Sequence, residues 1–579
     1  MRSPQERLLE NLAALYGPQT ALSVGARLSA RLDEFRRRNP MLLHTTLPPP
    51  GLSERDVFLI TYGDQFRDAD CPPLRSLDGF LSENTACLIT GLHVLPFYPS
   101  SSDEGFSVTD YRRVSPDLGT WADIRRLARR YTVMADLVLN HVSRESAWFR
   151  SFQRQERPYD DYFIVVPPGT DLSAVVRART HPLVTPVETA RGTLLVWTTF
   201  GPDQVDLNYR NPLVLLDMIQ VMLHYVHQGI RVLRLDAIAY LWKEIGTPCI
   251  HLPQTHRVVK LLRAVLDAVA PGVLLVTETN VPHAENVSYF GDGTDEAHMV
   301  YQFALPPLVL DAFHRADARV LSDWAASLTL PSSQTCFFNF LASHDGIGVR
   351  PVEGLLSADQ VQALAVLVEQ HGGLVSYRAT PAGSSPYELN TTYFDALNGP
   401  GTVRDLPTQI DRFIASQAIL LALAGVPGIY VHSLLGSRNW HQGVKETAQP
   451  RAINRQRFMR SQIQSELDDG GSLPGRVFQR YKALLAARAA EPAFHPQAGQ
   501  EVLDLGPAVF ALLRWQRDGP GRLLCLHNVT GSAQHLQLNA IGGAWALDRP
   551  VTDLILHQRI SVERGLTLSP YGVAWLKMV

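Results

Sequence analysis

IRVLRLD, Ile230 to Asp236, is a run of apolar β-forming residues that ends abruptly in a carboxylate. Val273 to Glu278 (VLLVTE) and Cys336 to Asp345 (CFFNFLASHD) repeat the pattern, so three acids are expected at the tips of three strands. Carboxylates converging at the C-terminal mouth of a parallel barrel are the equipment of retaining glycosidase-type chemistry. Side chains two apart on a strand share a face, so Arg234 and Asp236 project together into that mouth. The guanidinium is expected to hold Asp236 ionised, as a nucleophile requires. Glu278 closes a largely apolar strand, and partial desolvation there favours a protonated general acid.

Outward from these runs, strands alternate with helices from Asp56 onward: Val57 to Thr61, Leu88 to Val94, Val133 to Leu139, Gly229 to Leu235 and Val273 to Thr277, with a helix over His256 to Val269. Repeated βα units imply a parallel sheet, and their number favours a closed (β/α)8 TIM barrel over residues 56–143 and 212–496. Residues 144–211, aromatic and Pro-rich, are expected as a small inserted domain after the third strand. Residues 372–400, rich in Gly, Ser, Pro and Tyr, are expected as an irregular loop over the active site. Two helical patterns, Glu6 to Leu15 and Ala26 to Arg37, form an N-terminal extension over 1–55 that Leu47-Pro48-Pro49-Pro50-Gly51 stops. Short alternating strands after residue 496 indicate a C-terminal antiparallel β domain over 497–579.

Composition narrows the class. The 579 residues are 45% hydrophobic and 19% charged with a net charge of -3, which gives no electrostatic reason to expect nucleic acid or an anionic membrane. Arg36-Arg37-Arg38 reads as a solvated helix face. Five scattered cysteines, with no CxxC and no histidine at ligand spacing, suggest reduced thiols and no metal. The N-terminus MRSPQERLLENL lacks the apolar core of a secretory signal, so a cytoplasmic protein is expected. The greasy stretch Phe413 to Val431 is broken by Gly425-Val-Pro-Gly428 and reads as a buried helix followed by a strand, not a membrane span.

Several strings carry a resemblance. Asp136-Leu-Val-Leu-Asn140-His141, Arg234-Leu-Asp236, Glu278 and His344-Asp345 resemble, in order and context, the four motifs of the α-amylase superfamily, glycoside hydrolase family 13. LITYGDQ (59–65), PFYPSSSDEGFSVTDYRRV (96–114), LDAIAYLWKEIGTPCIHLPQTH (235–256), SHDGIGV (343–349) and RAINR (451–455) are similar to its sucrose phosphorylase subfamily. The resemblance implies Asp236 as nucleophile, Glu278 as general acid/base and Asp345 as transition-state stabiliser. It also implies Asp110, His141, Arg234, His344, Arg455 and Tyr240 around the glucosyl unit. Phosphate, a dianion that must be paired when enclosed, would be met by Arg179 and Arg455. Asn140 resembles a calcium ligand of many α-amylases, but no further cation ligands are apparent and no cofactor is implied.

The acceptor loop departs from the sucrose phosphorylase pattern. Ser384-Ser385-Pro386-Tyr387-Glu388-Leu389-Asn390, with Tyr387 and Glu388 facing the acceptor, is more similar to the glucosylglycerate phosphorylase branch. The expected partners are therefore a small glucoside, 2-O-α-D-glucosylglycerate, and inorganic phosphate, with a homodimer as an open assembly. Sucrose, sucrose 6'-phosphate and glucosylglycerol phosphorylases are the alternatives. Outside that class stand a hydrolase or transglucosidase with the same acids, and a sugar-binding scaffold, which has no use for three mutually repelling carboxylates.

Overall fold

A computed structural model describes residues 3–44, 51–85, 87–177, 179, 181–380, 383–399, 405–516, 519, 521–538, 551–562 and 565–578. Eight parallel strands close into a barrel: β1 (Phe58–Thr61), β2 (Gly91–Val94), β3 (Thr132–Val138), β4 (Val232–Asp236), β5 (Leu274–Thr277), β6 (Met299–Tyr301), β7 (Cys336–Phe340) and β8 (Val426–Tyr430). Each pairs with its chain neighbours, and β8 returns to β1 with Phe58 opposite Gly428. The register sets Asp136 of β3 and Val276 of β5 on either side of Arg234, and Val138 beside Asp236. These strands are buried on both faces because helices cover the outside, which is why their sequences run apolar without alternation. The stretch from Phe413 is, as read, a buried helix (Leu406–Ala422) leading into β8. Among the described residues no helix is long and apolar enough to cross a membrane.

The N-terminal arm consists of α1 (Pro4–Tyr16) and α2 (Pro18–Arg38). A capping box between Ser3 and Glu6 starts the first, and Gly17 at φ 81° turns the chain into the second. Arg7 pairs with Asp267 at 2.8 Å and ties α1 to the barrel helix α3 (Pro253–Val269). Arg36 differs from the solvated face expected of it: its Nε and Nη2 donate to Ala268 O, each at 3.2 Å, and cap the C-terminus of α3. Arg37 and Arg38 are exposed. The expected stop at Leu47 to Gly51 lies, Gly51 apart, outside the described residues.

Past β3 the chain forms a bridge pair, His141–Ser143 with Gln204–Asp206, and a hairpin, Val184–Thr189 with Gly192–Trp197. At the C-terminus six antiparallel strands run in the order Gly499–Leu503, Val509–Trp515, Arg522–Asn528, Val573–Met578, Val551–Asp553, Gln558–Ile560.

The stretch from residue 372 corrects an expectation. Instead of an irregular loop, Leu374–Thr380 pairs antiparallel with Gly383–Asn390, and Ile347–Gly348 adds a third strand; residues 381, 382 and 400 lie outside the described set. Pro386 does not break the hairpin because it sits at a register shift: Ser376 faces Glu388, Tyr377 faces Pro386, and Tyr387 is the extra residue of a bulge. A missing N–H is tolerated there, and a bulge re-aims side chains.

Candidate active site

Four carboxylates gather at the C-terminal end of the barrel around Arg234, which is 3% exposed. The guanidinium contacts Asp136 through Nη1, Asp236 at 2.8 Å through the same nitrogen, and Glu278 at 3.8 Å through Nη2. Asp136 is also paired with His93 at 2.8 Å. Burial works against ionisation of Asp136, but His93 and Arg234 outweigh it and draw the carboxyl down to about 2. Asp236 ends β4, Glu278 follows β5 directly, and Asp345 lies five residues beyond the end of β7, in a loop and not at a strand tip.

Asp236 does not behave as expected from its arginine. Burial pushes it well above the usual carboxylate range; Arg234 opposes this, while Glu278, Asp136 and Asp345 add to it. Glu278 is raised as expected, again by burial first, against Arg234 and against the Ala237 N–H that reaches its Oε2 at 2.9 Å. One guanidinium shared among three carboxylates cannot hold them all charged in a dry site. Two interacting carboxyls titrate as a pair, and this pair keeps a proton to higher pH than an isolated carboxyl does. Asp345 lies on the other side of the balance. Burial would raise it, but Arg451, then His344, Arg455 and Arg234, take it far below the ordinary range.

The cavity floor and walls include His141, Arg234, Asp236, Tyr240, Glu278, His344, Asp345, Tyr387, Glu388 and Arg179, so ten of the twelve residues singled out from sequence converge on it. The other two do not line it. Asp110 turns back to accept from Arg112 N at 2.8 Å, and Asp103, seven residues earlier in the same string, takes the place in the wall, held by Gln204 at 3.0 Å. Arg455 donates its Nε to His344 O at 2.8 Å and lines the adjoining outer cavity with Arg179, Tyr387, Glu388 and Arg451. Arg451, the first residue of RAINR, lines the cavity instead: it bonds Asp345 at 2.5 Å and grips Glu388 with two nitrogens, at 2.7 and 3.1 Å. The bidentate grip fixes the orientation of Glu388, and the third nitrogen ties Asp345 to the same guanidinium.

Two glycines make this convergence possible. A Cβ at Gly346 would stand 2.5 Å from Glu388 Cγ, and one at Gly348 would stand 2.4 Å from Asn280 Oδ1. The strand that leaves Asp345 is therefore the close contact between the carboxylate cage and the far wall. Aromatic rings complete the lining: Phe106 stacks on His344 at 4.9 Å, and Phe200 meets Tyr240 edge-on at 5.4 Å. Phe97 and Tyr98 belong to the core, with Tyr98 stacked on Tyr225. His141 contacts Phe106 O and Gln204, each at 3.2 Å, and burial lowers its pKa, so a neutral imidazole faces the cavity.

Asn140 does not fit a cation site. Its Oδ1 accepts from Lys243 Nζ at 2.6 Å, and that ammonium also pairs with Asp206, so a side-chain cation already neutralises these oxygens. Among the described residues no cluster of histidine, cysteine and acids is arranged to hold a metal.

Comparison with known proteins agrees with this geometry. Residues 85–357 match the family described as alpha amylase, catalytic domain. A glucosylglycerate phosphorylase of Spirochaeta thermophila is 50% identical over 98% of this chain and 95% of its own. The one of Escherichia coli is 42% identical over 99% of this chain and all of its own. Among solved structures, the sucrose 6F-phosphate phosphorylase of Thermoanaerobacter thermosaccharolyticum superposes with a TM-score of 0.72 at 26% identity, covering 82% of this chain and 94% of that one. The chain therefore belongs to glycoside hydrolase family 13, the α-amylase family, within the sucrose phosphorylase subfamily and its glucosylglycerate phosphorylase branch.

Proposed function

We propose that the protein is a retaining glycoside phosphorylase that moves the glucosyl group of 2-O-α-D-glucosylglycerate to inorganic phosphate, giving α-D-glucose 1-phosphate and glycerate. The carrying observation is the buried pair Asp236 and Glu278 against one guanidinium, in a chain 42–50% identical over nearly its full length to glucosylglycerate phosphorylases. Glu278 gives its proton to the glycosidic oxygen as the bond to C1 breaks, and an Asp236 oxygen bonds to C1. Phosphate then attacks C1 and displaces Asp236, and Glu278 takes up the proton that the phosphate releases. Two inversions give net retention. The proton that the pair keeps at raised pH is the one the departing glycerate needs. Asp345, ionised throughout, faces the positive charge that develops at the ring.

Phosphate requires a guanidinium. Arg451 is held by Asp345 and Glu388, whereas Arg455 commits only its Nε to His344 O and keeps a buried Nη2 without a hydrogen bond, so Arg179 and Arg455 are the guanidiniums available to meet it. Tyr387, Glu388 and Asn280 form the wall nearest the acceptor. A cytoplasmic location and a homodimer accompany this reading; cell fractionation and light scattering check them.

The direct test runs the reaction in reverse. Incubation with α-glucose 1-phosphate and D-glycerate, fructose, fructose 6-phosphate or glycerol should release phosphate with glycerate first. Release with fructose alone removes the glycerate assignment. Glucose formation without an acceptor, at the same rate, indicates a hydrolase.

A further inference from the structure

Immediately after Asp236 the backbone turns left-handed: Ala237 lies at φ 49°, ψ 30°. For a residue with a Cβ this conformation is sterically disfavoured. An outlier beside reacting groups is a reason to ask what it positions. Glu278 N donates to Leu235 O at 3.2 Å, the last rung of the β4–β5 ladder. One rung further, a regular parallel ladder would direct Ala237 N–H to the main-chain carbonyl of Glu278. The left-handed turn diverts that N–H to the Glu278 side chain, where it meets Oε2 at 2.9 Å.

We propose that Ala237 is a positioning residue: its left-handed backbone aims the N–H at the Glu278 carboxyl and fixes the orientation in which that group meets the glycosidic oxygen. The proposal rests on Glu278 being the acid/base. Glu278 otherwise faces charge that pulls in several directions: Arg234 and Asp236 of β4, Asp136 of β3 and Asp345 beyond β7. The phenols of Tyr240, Tyr301 and Tyr387 also lie within its field. Arg234 is divided among three acids, so the Ala237 N–H is the donor that addresses Glu278 from the backbone. It stabilises the ionised form and restrains the upward push of burial.

The test compares Ala237→Val with Ala237→Gly in the full chain, following kcat/KM against pH on the glucoside the wild type phosphorolyses. A β-branched residue rejects the left-handed region, while glycine enters it freely. Ala237→Val should lose at least about tenfold in kcat/KM and move the basic limb of the profile to higher pH, the factor of ten corresponding to about 1.4 kcal/mol in the barrier. Ala237→Gly should keep the limb in place with a loss of no more than about threefold, under 1 kcal/mol by the same conversion. On α-glucosyl fluoride, whose leaving group needs no proton, Ala237→Val should keep most of its rate.

A Val variant with wild-type rate and limb overturns the proposal, as does a Gly variant displaced as far as Val, or an equal loss on both substrates. Should Ala237→Val not fold, Ala237→Asn, which tolerates the left-handed region, should match Gly; a displaced limb there is equally fatal. Glu278→Gln, assayed alongside, separates this outcome from failure of the acid/base assignment, because a Gln variant that keeps its rate and basic limb refutes the latter.

Discussion

At the C-terminal end of the barrel the buried guanidinium of Arg234 is surrounded by carboxylates, whereas at the N-terminal end those of Arg488 and Arg514 are surrounded by carbonyls. Arg488 donates to the carbonyls of Leu421, Glu54, Gly425 and Phe494, and Arg514 to Ala422 at 2.7 Å, His495 at 3.0 Å and Gly499 at 3.2 Å. Leu421 and Ala422 end the helix before β8, so its orphan C-terminal carbonyls receive cations from the helix and sheet that follow the barrel. Burial, and for Arg488 the like charge of Arg514, draws both guanidiniums down from their ordinary pKa, with the carboxylates of Asp56 and Glu54 opposing the fall at Arg488. At the other end burial and repulsion lift Asp236 and Glu278, and nothing nearby fully relieves them. The first arrangement serves cohesion; the second stores electrostatic tension for chemistry.

The sharpest way to separate the two ends is Asp236→Asn. Phosphorolysis should fall by ~10⁴-fold or more, while the melting temperature stays level or rises because a repelling charge is gone. The pH dependence follows from the sign of the shift. A carboxyl raised on folding binds more protons folded than unfolded, so its contribution to stability falls as pH climbs from the unfolded value through the folded one. The gain of Asp236→Asn over wild type should therefore grow across that window. Asp345, depressed on folding, contributes stability above the unfolded carboxylate value that is lost as pH falls through and below it. Melting curves from acid to neutral pH check both slopes.

Arg488→Met strikes the opposite end. It strands three buried carbonyls and a part-buried one and should cost about 3–5 kcal/mol of stability, with kcat per folded molecule unaltered. A proportionate loss of kcat in denaturant-free assays of folded protein would mean the two ends are coupled. Next in size is Arg451→Lys, which cannot grip Glu388 with two nitrogens while reaching Asp345; a fall of about 10- to 100-fold in kcat/KM is expected from misplaced acids. The smallest effect belongs to Arg36→Ala, which removes a half-exposed cap from α3 and should lower stability by less than about 1 kcal/mol without touching kinetics.

Which parts of this were legible in the sequence follows from the same physics. Strands such as Val133 to Leu139 and Val273 to Thr277 fall within a residue or two of β3 and β5, because burial on both faces writes itself as an apolar run. The acids stand at the ends of those runs and were legible for that reason. Asp103 and Arg451 were hidden in plain view, each inside a recognised string in which another residue, Asp110 or Arg455, has the same chemistry. Composition cannot say which of two like side chains in one irregular segment turns inward. The hairpin over 374–390 was obscured because Ser, Gly and Pro weigh as loop formers one by one, whereas the bulge that accommodates Pro386 depends on pairing partners far along the chain.

The bulge also decides which side chains of the hairpin face the cavity. Side chains along a strand alternate faces with a period of two, and the single extra residue at Tyr387 is what lets Tyr387 and Glu388 both reach the cavity although they are adjacent. Removing one residue there restores regular pairing and turns one of the two away in a single step. On the proposed reading, in which this wall meets the acceptor, a one-residue deletion changes the wall more than a substitution does, because it alters which side chains face the cavity.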